Sequence, residues 1–183
     1  MQHHRVPTRL LDWSESPLIA AFFATIKASK ASEEISDDAA IFALDPIALN
    51  KQSGFDFFPN TWVQGPVLQT IKFAFGTQEE PVDGERIPYL EYPTAVYPST
   101  IHSRIKSQKG CFTLHGSDKR DFEAIFANSA LIREKQIIKY VIPKEKIGGF
   151  FSELNDFGIT YSNLFPGLDG LAKELKYQFK IVE

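Results

Sequence analysis

The sequence is poor in cysteine: Cys111 is the only one among 183 residues. A single cysteine cannot form an internal disulfide, which excludes a disulfide-stapled secreted domain and predicts a reducing, cytoplasmic location. Histidine is also scarce, and no His-x-x-x-His or Cys-x-x-Cys spacing occurs. Because His3 and His4 are adjacent, they would point to opposite faces of a strand and could not easily hold one ion. The sequence therefore predicts no metal site.

The sequence also lacks a positive net charge and long apolar runs. A net charge of −3 gives no positive field to hold a phosphate backbone, which disfavours binding to nucleic acid. The longest apolar stretch, Leu18 to Ile26, is too short to cross a bilayer and has no signal-peptide flanks. We therefore predict a protein without a membrane segment. The composition says nothing about its oligomeric state.

Phenylalanine is abundant, with 16 residues, and predicts a core rich in aromatic surface. The length fits one domain spanning residues 1–183. We predict an α+β fold, in which a mixed, mainly antiparallel sheet is flanked by helices. The expected helices lie at 16–26, 46–51, 122–130, 143–155 and 166–177, and the expected strands at 40–44, 110–116 and 137–142. The apolar run at 67–75 fits either a helix or a strand, and a helix is favoured.

The first polar segment of interest is Gln2 to Trp13. Its apolar residues predict that Pro7 to Asp12 is mostly buried, with Leu10, Leu11 and Trp13 in the core against Phe22 and Phe23. Burial would bring Arg9 and Asp12 into a region where each needs a hydrogen-bonded partner. The candidates for chemistry here are His4, Thr8, Arg9 and Asp12. A structural ion network that only anchors the segment is the equally open alternative.

The second polar segment runs from His102 to Gly110. Arg104 and Gln108 are four residues apart, so a helix would place both on one face. Arginine supplies a planar fork for phosphate or carboxylate, and glutamine supplies a donor and an acceptor. We therefore predict Arg9, Arg104 and Gln108 as ligand-binding residues, in a pocket where the Gln2–Asp12 and Arg104–Gly110 segments meet. A solvated basic turn is the alternative.

These motifs together resemble the FRG domain of bacteria and phages. The resemblance is carried by Gln-His-His-x-x-Pro-Thr-Arg-Leu-Leu-Asp-Trp-Ser from Gln2, and by Ser-Pro-Leu-Ile-Ala-Ala-Phe-Phe-Ala from Ser16. Later stretches around Tyr97-Pro98, at 104–113 and at 157–171 are similar to the same family. The Phe-Arg-Gly motif of the family would lie before the first residue, so we expect a chain truncated at its N-terminus.

The resemblance implies a protein whose biochemical activity is undefined. A loose similarity to the arginine and Ser/Thr motifs of ADP-ribosyltransferases implies, as one alternative, an enzyme or degenerate enzyme that binds NAD and is linked to phage defence or toxin systems. The other alternative is a non-catalytic interaction module. The expected ligand is a nucleotide or another anionic small molecule.

Overall fold

The computed structural model describes residues 9–29, 34–54, 92–98, 102–116, 118, 120–127 and 130–181. These residues form an α+β structure, as the sequence predicts. The segment 67–75, predicted as a helix or a strand, lies outside the described residues. The elements in chain order are β1 (Leu10–Ser14), α1 (Pro17–Thr25), a 3₁₀ turn (Ile26–Ser29), β2 (Ala39–Leu44), α2 (Pro46–Gln52), β3 (Thr94–Val96), α3 (Ser103–Ser107), β4 (Gly110–Leu114), α4 (Phe122–Phe126), α5 (Ala130–Arg133), β5 (Ile137–Ile142), α6 (Lys144–Asp156), α7 (Tyr161–Leu164) and α8 (Leu168–Gln178).

The strands form two small antiparallel sheets. One has the order β1-β4-β3, in which Ala95 of β3 lies opposite Thr113 of β4, and the other pairs β2 with β5. The strands predicted at 40–44, 110–116 and 137–142 are thus confirmed. Helix α1 begins one residue after Ser16 with Pro17 in its first turn, as the sequence signal predicts.

The contacts divide the chain into two compact units. The first contains the described residues among 1–13, 44–99 and 111–138. Its core is centred on Leu49 and Leu131, which are fully buried. The buried side-chain amide of Asn50 pairs with the backbone of Ala95 in β3. Its Nδ2 donates to the Ala95 carbonyl at 3.1 Å, and its Oδ1 accepts from the Ala95 N–H at 2.7 Å. Both polar atoms of this buried amide are therefore satisfied.

The second unit contains the described residues among 14–43, 100–110 and 139–183. Its core is aromatic, as the phenylalanine content predicts. The buried ring of Phe22 in α1 lies 5.2 Å from Phe151 of α6 and 5.3 Å from Tyr161 of α7. Phe151 and Tyr161 thereby join α6 and α7 to α1, and α8 packs on α7. The prediction of one domain over residues 1–183 remains a prediction.

Two negative findings apply to the described part of the chain. No helix there is both long and apolar enough to span a bilayer. No group of three His, Cys, Asp or Glu residues there is placed to hold a metal ion.

Candidate ligand-binding site

Helix α3 carries the second polar segment of the sequence and is anchored to the end of α7. The Ser107 hydroxyl and the Gln108 side-chain amide both donate to the carbonyl of Leu164, at 3.1 and 3.0 Å. That carbonyl lies at the end of a short helix, where backbone acceptors lack intrahelical partners. The amide nitrogen of Gln108 therefore supports the local fold. Its predicted role in ligand binding remains a prediction.

Arg104 lies one turn before Gln108, and the two positions share a face of the helix, as the spacing predicts. The guanidinium carbon of Arg104 is 4.7 Å from the centroid of the Phe165 ring, the residue after α7. This is a cation–π contact. The Nε atom of Arg104 is buried and has no hydrogen-bond acceptor among the described residues. A buried donor without an acceptor is costly, so this atom is a place where a ligand could add an interaction.

Helix α8 brings a second cation to the same ring. Its backbone approaches Phe165 so closely that a Cβ atom on Gly170 would lie 2.0 Å from the Phe165 carbonyl oxygen. Only glycine permits this approach. One turn further along, the Nζ atom of Lys173 lies 5.6 Å from the Phe165 centroid and 5.8 Å from that of Tyr161. The group formed by Arg104, Phe165 and Lys173 is called the Phe165 site below.

The side chain of Glu174, the residue after Lys173, accepts its hydrogen bonds from residues at the start of α7. The Oε2 atom of Glu174 accepts from the Thr160 hydroxyl at 2.9 Å and from the N–H of Ser162 at 2.8 Å, at the start of α7. Partial burial raises the pKa of this carboxyl, but the hydrogen bonds from Ser162 and Thr160 outweigh burial and hold the pKa below its ordinary value. Glu174 therefore fixes α8 to α7 as a carboxylate.

The Phe165 site is consequently positive. Within the described part of the chain, neither Arg104 nor Lys173 forms an ion pair with a carboxylate. Two cations that share one ring without a counter-charge attract an anion of complementary size. Arginine offers a planar fork and lysine a compact point charge, a combination suited to the oxygens of a phosphate.

Arg9 lies in the other unit, at the start of β1. Its Nη1 donates to the carbonyl of Gly116 at 2.8 Å, and its own carbonyl accepts from the N–H of His115 at 2.8 Å. The predicted charge-assisted hydrogen bond of Arg9 is thus confirmed. Asp12 is exposed rather than buried. A hydrogen bond of Asp12 remains a prediction.

The predicted burial of the β1 segment is wrong for Leu11, which is 41 % exposed. Successive side chains of a strand point to opposite faces, so Leu10 and Leu11 cannot enter one core together. Leu10 packs against the buried pair Val96 and Leu114. Trp13 is half-buried: its Nε1 donates to the Thr113 hydroxyl at 3.1 Å, and its ring lies 5.8 Å from Phe122. The predicted packing of Trp13 on Phe22 and Phe23 remains a prediction, and Phe23 is itself 39 % exposed.

His115, directly after β4, is half-buried. Desolvation by burial lowers the pKa of its imidazole, and the nearby Arg9 guanidinium lowers it further, while Asp118 and a hydrogen bond to the backbone of Arg120 act in the opposite direction. The net pKa lies below the ordinary value of histidine, so the ring is neutral at pH 7. No sequence motif marks His115, because its position depends on the pairing of β1 with β4.

The sequence-predicted site residues divide between the two units. His4 and Thr8 lie outside the described residues. Arg9 and Asp12 belong to the first unit, and Arg104 and Gln108 to the second. The predicted meeting of the Gln2–Asp12 and Arg104–Gly110 segments in one pocket remains a prediction. The sequence reasoning missed Lys173, for which the only signal is its place one turn after the glycine of α8.

Comparison with known proteins supports the resemblance in the N-terminal segment. The model of the FRG domain matches residues 1–33, which contain both stretches on which the resemblance rests. No curated protein matches the chain. No solved structure matches it either.

Proposed function

We propose that this FRG-like chain binds a phosphate-bearing small molecule at the Phe165 site. The observation that supports the proposal is the convergence of Arg104 and Lys173 on one aromatic ring, without a carboxylate partner among the described residues. Arg104 would contribute charge-assisted hydrogen bonds, and Lys173 would contribute a movable positive charge. Gln108 and Glu174 act as positioning residues, because they fix α3 and α8 to the ends of α7.

A small ligand is favoured over a nucleic acid. Binding to a nucleic-acid backbone needs a continuous basic face, whereas the whole chain carries a net charge of −3. The positive potential is instead local. A nucleotide with a pyrophosphate group, such as NAD or ADP-ribose, fits the two cations and is the ligand class that we propose.

An ADP-ribosyltransferase-like reaction on NAD is a further step that this site does not supply alone. Arg104 and Lys173 provide positive charge for phosphate groups, but the site that they form contains no carboxylate or imidazole to act as a general base. The candidate groups for catalysis, His4, Thr8, Arg9 and Asp12, are predicted from the sequence and are not part of the Phe165 site. Turnover of NAD, measured as nicotinamide release, separates this enzyme from a binding module.

A non-catalytic interaction module is the second candidate, and the contacts of two predicted site residues favour it. The Gln108 amide and the Arg9 guanidinium are both engaged with backbone carbonyls. Polar residues of this kind stabilise a fold without binding anything. On this alternative, Arg104 and Lys173 contribute to the fold only through their cation–π contacts with Phe165.

Thermal unfolding with a panel of ligands tests the proposal. The panel contains inorganic pyrophosphate, ATP, ADP-ribose and NAD, with adenosine and nicotinamide as uncharged controls. A ligand that binds only the folded state raises the melting temperature by mass action. We expect the phosphate-bearing compounds to raise it and the uncharged controls to leave it unchanged. A melting temperature that no phosphate compound raises would contradict the proposal.

A further inference from the structure

A further aromatic ring, that of Phe23 in helix α1, lies beside the Phe165 site. The centroids of Phe23 and Phe165 are 5.9 Å apart, and the two rings meet edge to face at an angle of 73°. Phe23 also meets the fully buried ring of Phe22 edge to face, at 5.9 Å. The Phe23 side chain is nevertheless 39 % exposed. A single exposed aromatic residue is common on protein surfaces, but this one contacts the ring on which Arg104 and Lys173 converge.

The connection that leads into α1 is bonded to α3, the helix that carries Arg104. The hydroxyl of Ser14 donates to the backbone carbonyl of Gln108 at 2.8 Å, directly after α3. This hydrogen bond joins the residues before α1 to the end of α3. Phe23 and Arg104 therefore reach Phe165 from two elements that are tied to each other.

We propose that Phe23 stacks on the base of a bound nucleotide whose phosphates lie between Arg104 and Lys173. The inference rests on the proposed function and deepens it, because it gives the site a contact that only a ligand with a planar base can use. Every nucleobase has a π-face that stacks on an aromatic side chain. In a nucleotide, the ribose separates this face from the phosphates. Such a ligand can therefore contact an exposed ring and a nearby pair of cations at once.

The inference also gives the family-matched segment a part in the site. Phe23 lies within residues 1–33, the segment that the FRG model matches, whereas Arg104 and Lys173 lie outside it. The matched segment would then contribute the surface for the base, and the later helices would contribute the charges for the phosphates.

A purely structural role of Phe23 is the alternative. In that role the ring would only cover the edge of Phe165, and its loss would disturb the binding of all phosphate compounds alike. Inorganic pyrophosphate separates the two roles, because it carries the linked phosphates of ADP and has no base. Stacking by Phe23 should matter for ADP and not for pyrophosphate.

Calorimetric titration of ADP and of pyrophosphate into the full chain and into Phe23→Leu tests the inference. Leucine keeps an apolar side chain at this position but has no π-face. We expect F23L to weaken ADP binding by about tenfold and to change the dissociation constant of pyrophosphate less than about twofold. Phe150→Leu is the matched control, because Phe150 is 46 % exposed on α6 and is not part of the Phe165 site. It should bind both ligands as the wild type does.

The variant Phe23→Trp gives a second readout, which decides the question if F23L does not fold. Tryptophan keeps an aromatic face, so ADP binding should be retained. A base stacked on the new indole should quench its fluorescence. We expect ADP to quench F23W more than it quenches the wild type, in which Trp13 and Trp62 set the background. Pyrophosphate should quench the two proteins equally.

Failure of this inference can be told apart from failure of the proposed function. The inference is overturned, and the phosphate site remains, if the wild type binds pyrophosphate but not ADP. The same holds if folded F23L binds ADP as tightly as the wild type or loses affinity for both ligands alike, or if ADP leaves the fluorescence of F23W unquenched. If the wild type binds neither ligand, the proposed function and this inference are both wrong.

Discussion

The guanidinium of Arg104 lies 4.7 Å from the centroid of the Phe165 ring, and the ammonium of Lys173 lies 5.6 Å from the same centroid. A cation–π contact stabilises each side chain by about 0.5–2 kcal/mol, depending on its exposure. The ring thus gathers two like charges that come from different helices. An anion bound between them would relieve their repulsion, which is why we assign the ligand site to this position.

Gln108 is expected to matter for stability more than for ligand contact. Replacing Gln108 with Ala removes the hydrogen bond to the Leu164 carbonyl, and the free energy of unfolding should fall by about 0.5–1.5 kcal/mol. Urea unfolding measures this change. Gln178→Ala is the control, because Gln178 is exposed and its bond to Glu174 is long, at 3.5 Å. A Gln108→Ala chain as stable as the control would show that the contact contributes nothing.

Arg9 is expected to be a residue of the fold. Arg9→Ala leaves the buried Gly116 carbonyl without its guanidinium donor, so the free energy of unfolding should fall by about 1–3 kcal/mol. Arg120→Ala, which breaks the ion pair of the exposed Arg120 side chain with Asp118, should lower the free energy of unfolding much less. Unfolding of both variants in urea provides the comparison. If Arg9→Ala is as stable as the wild type, Arg9 does not stabilise the fold and ligand binding becomes its expected role.

Glu174 predicts a pH dependence of stability. Its pKa is lower in the folded chain than in the unfolded chain, so the unfolded state binds the proton more readily as the pH falls. The stabilisation is therefore present above about pH 4.3, the ordinary value for glutamate, and is lost as the pH falls through the lower folded value. Glu174→Gln should reduce stability at pH 7 and flatten this acid loss. Glu153→Gln, which makes the same change at an exposed position of α6, is the control and should cost less stability at pH 7.

The local elements could be predicted from the sequence because their signals are local. Asp45 and Pro46 mark the start of α2, where the Asp45 carboxylate accepts from the N–H groups of Ile47 and Ala48 at 2.9 and 3.1 Å. The β-branched run at 137–142 forms β5 as expected. The Arg104–Gln108 spacing likewise predicts a shared helix face, and α3 provides it.

The candidate site could be predicted only in part, since it depends on contacts between distant segments. Nothing near Lys173 in the sequence indicates that Gly170 will bring α8 against Phe165. His115 reaches its half-buried position only through the pairing of β1 with β4. Leu11 was expected in the core because it is apolar, but the alternation of the strand turns it outward.

Calorimetric titration of ADP-ribose into the wild type and three single variants tests the central claim most directly. Arg104→Gln and Lys173→Gln should each weaken binding by about tenfold, because each removes one charged contact with the phosphates. Lys106→Gln removes an exposed positive charge from the same helix as Arg104 and should change the dissociation constant less than about twofold. Circular dichroism confirms that all the variants are folded. If folded Arg104→Gln and Lys173→Gln bind ADP-ribose as the wild type does, or if the wild type does not bind it, the Phe165 site is not the ligand site.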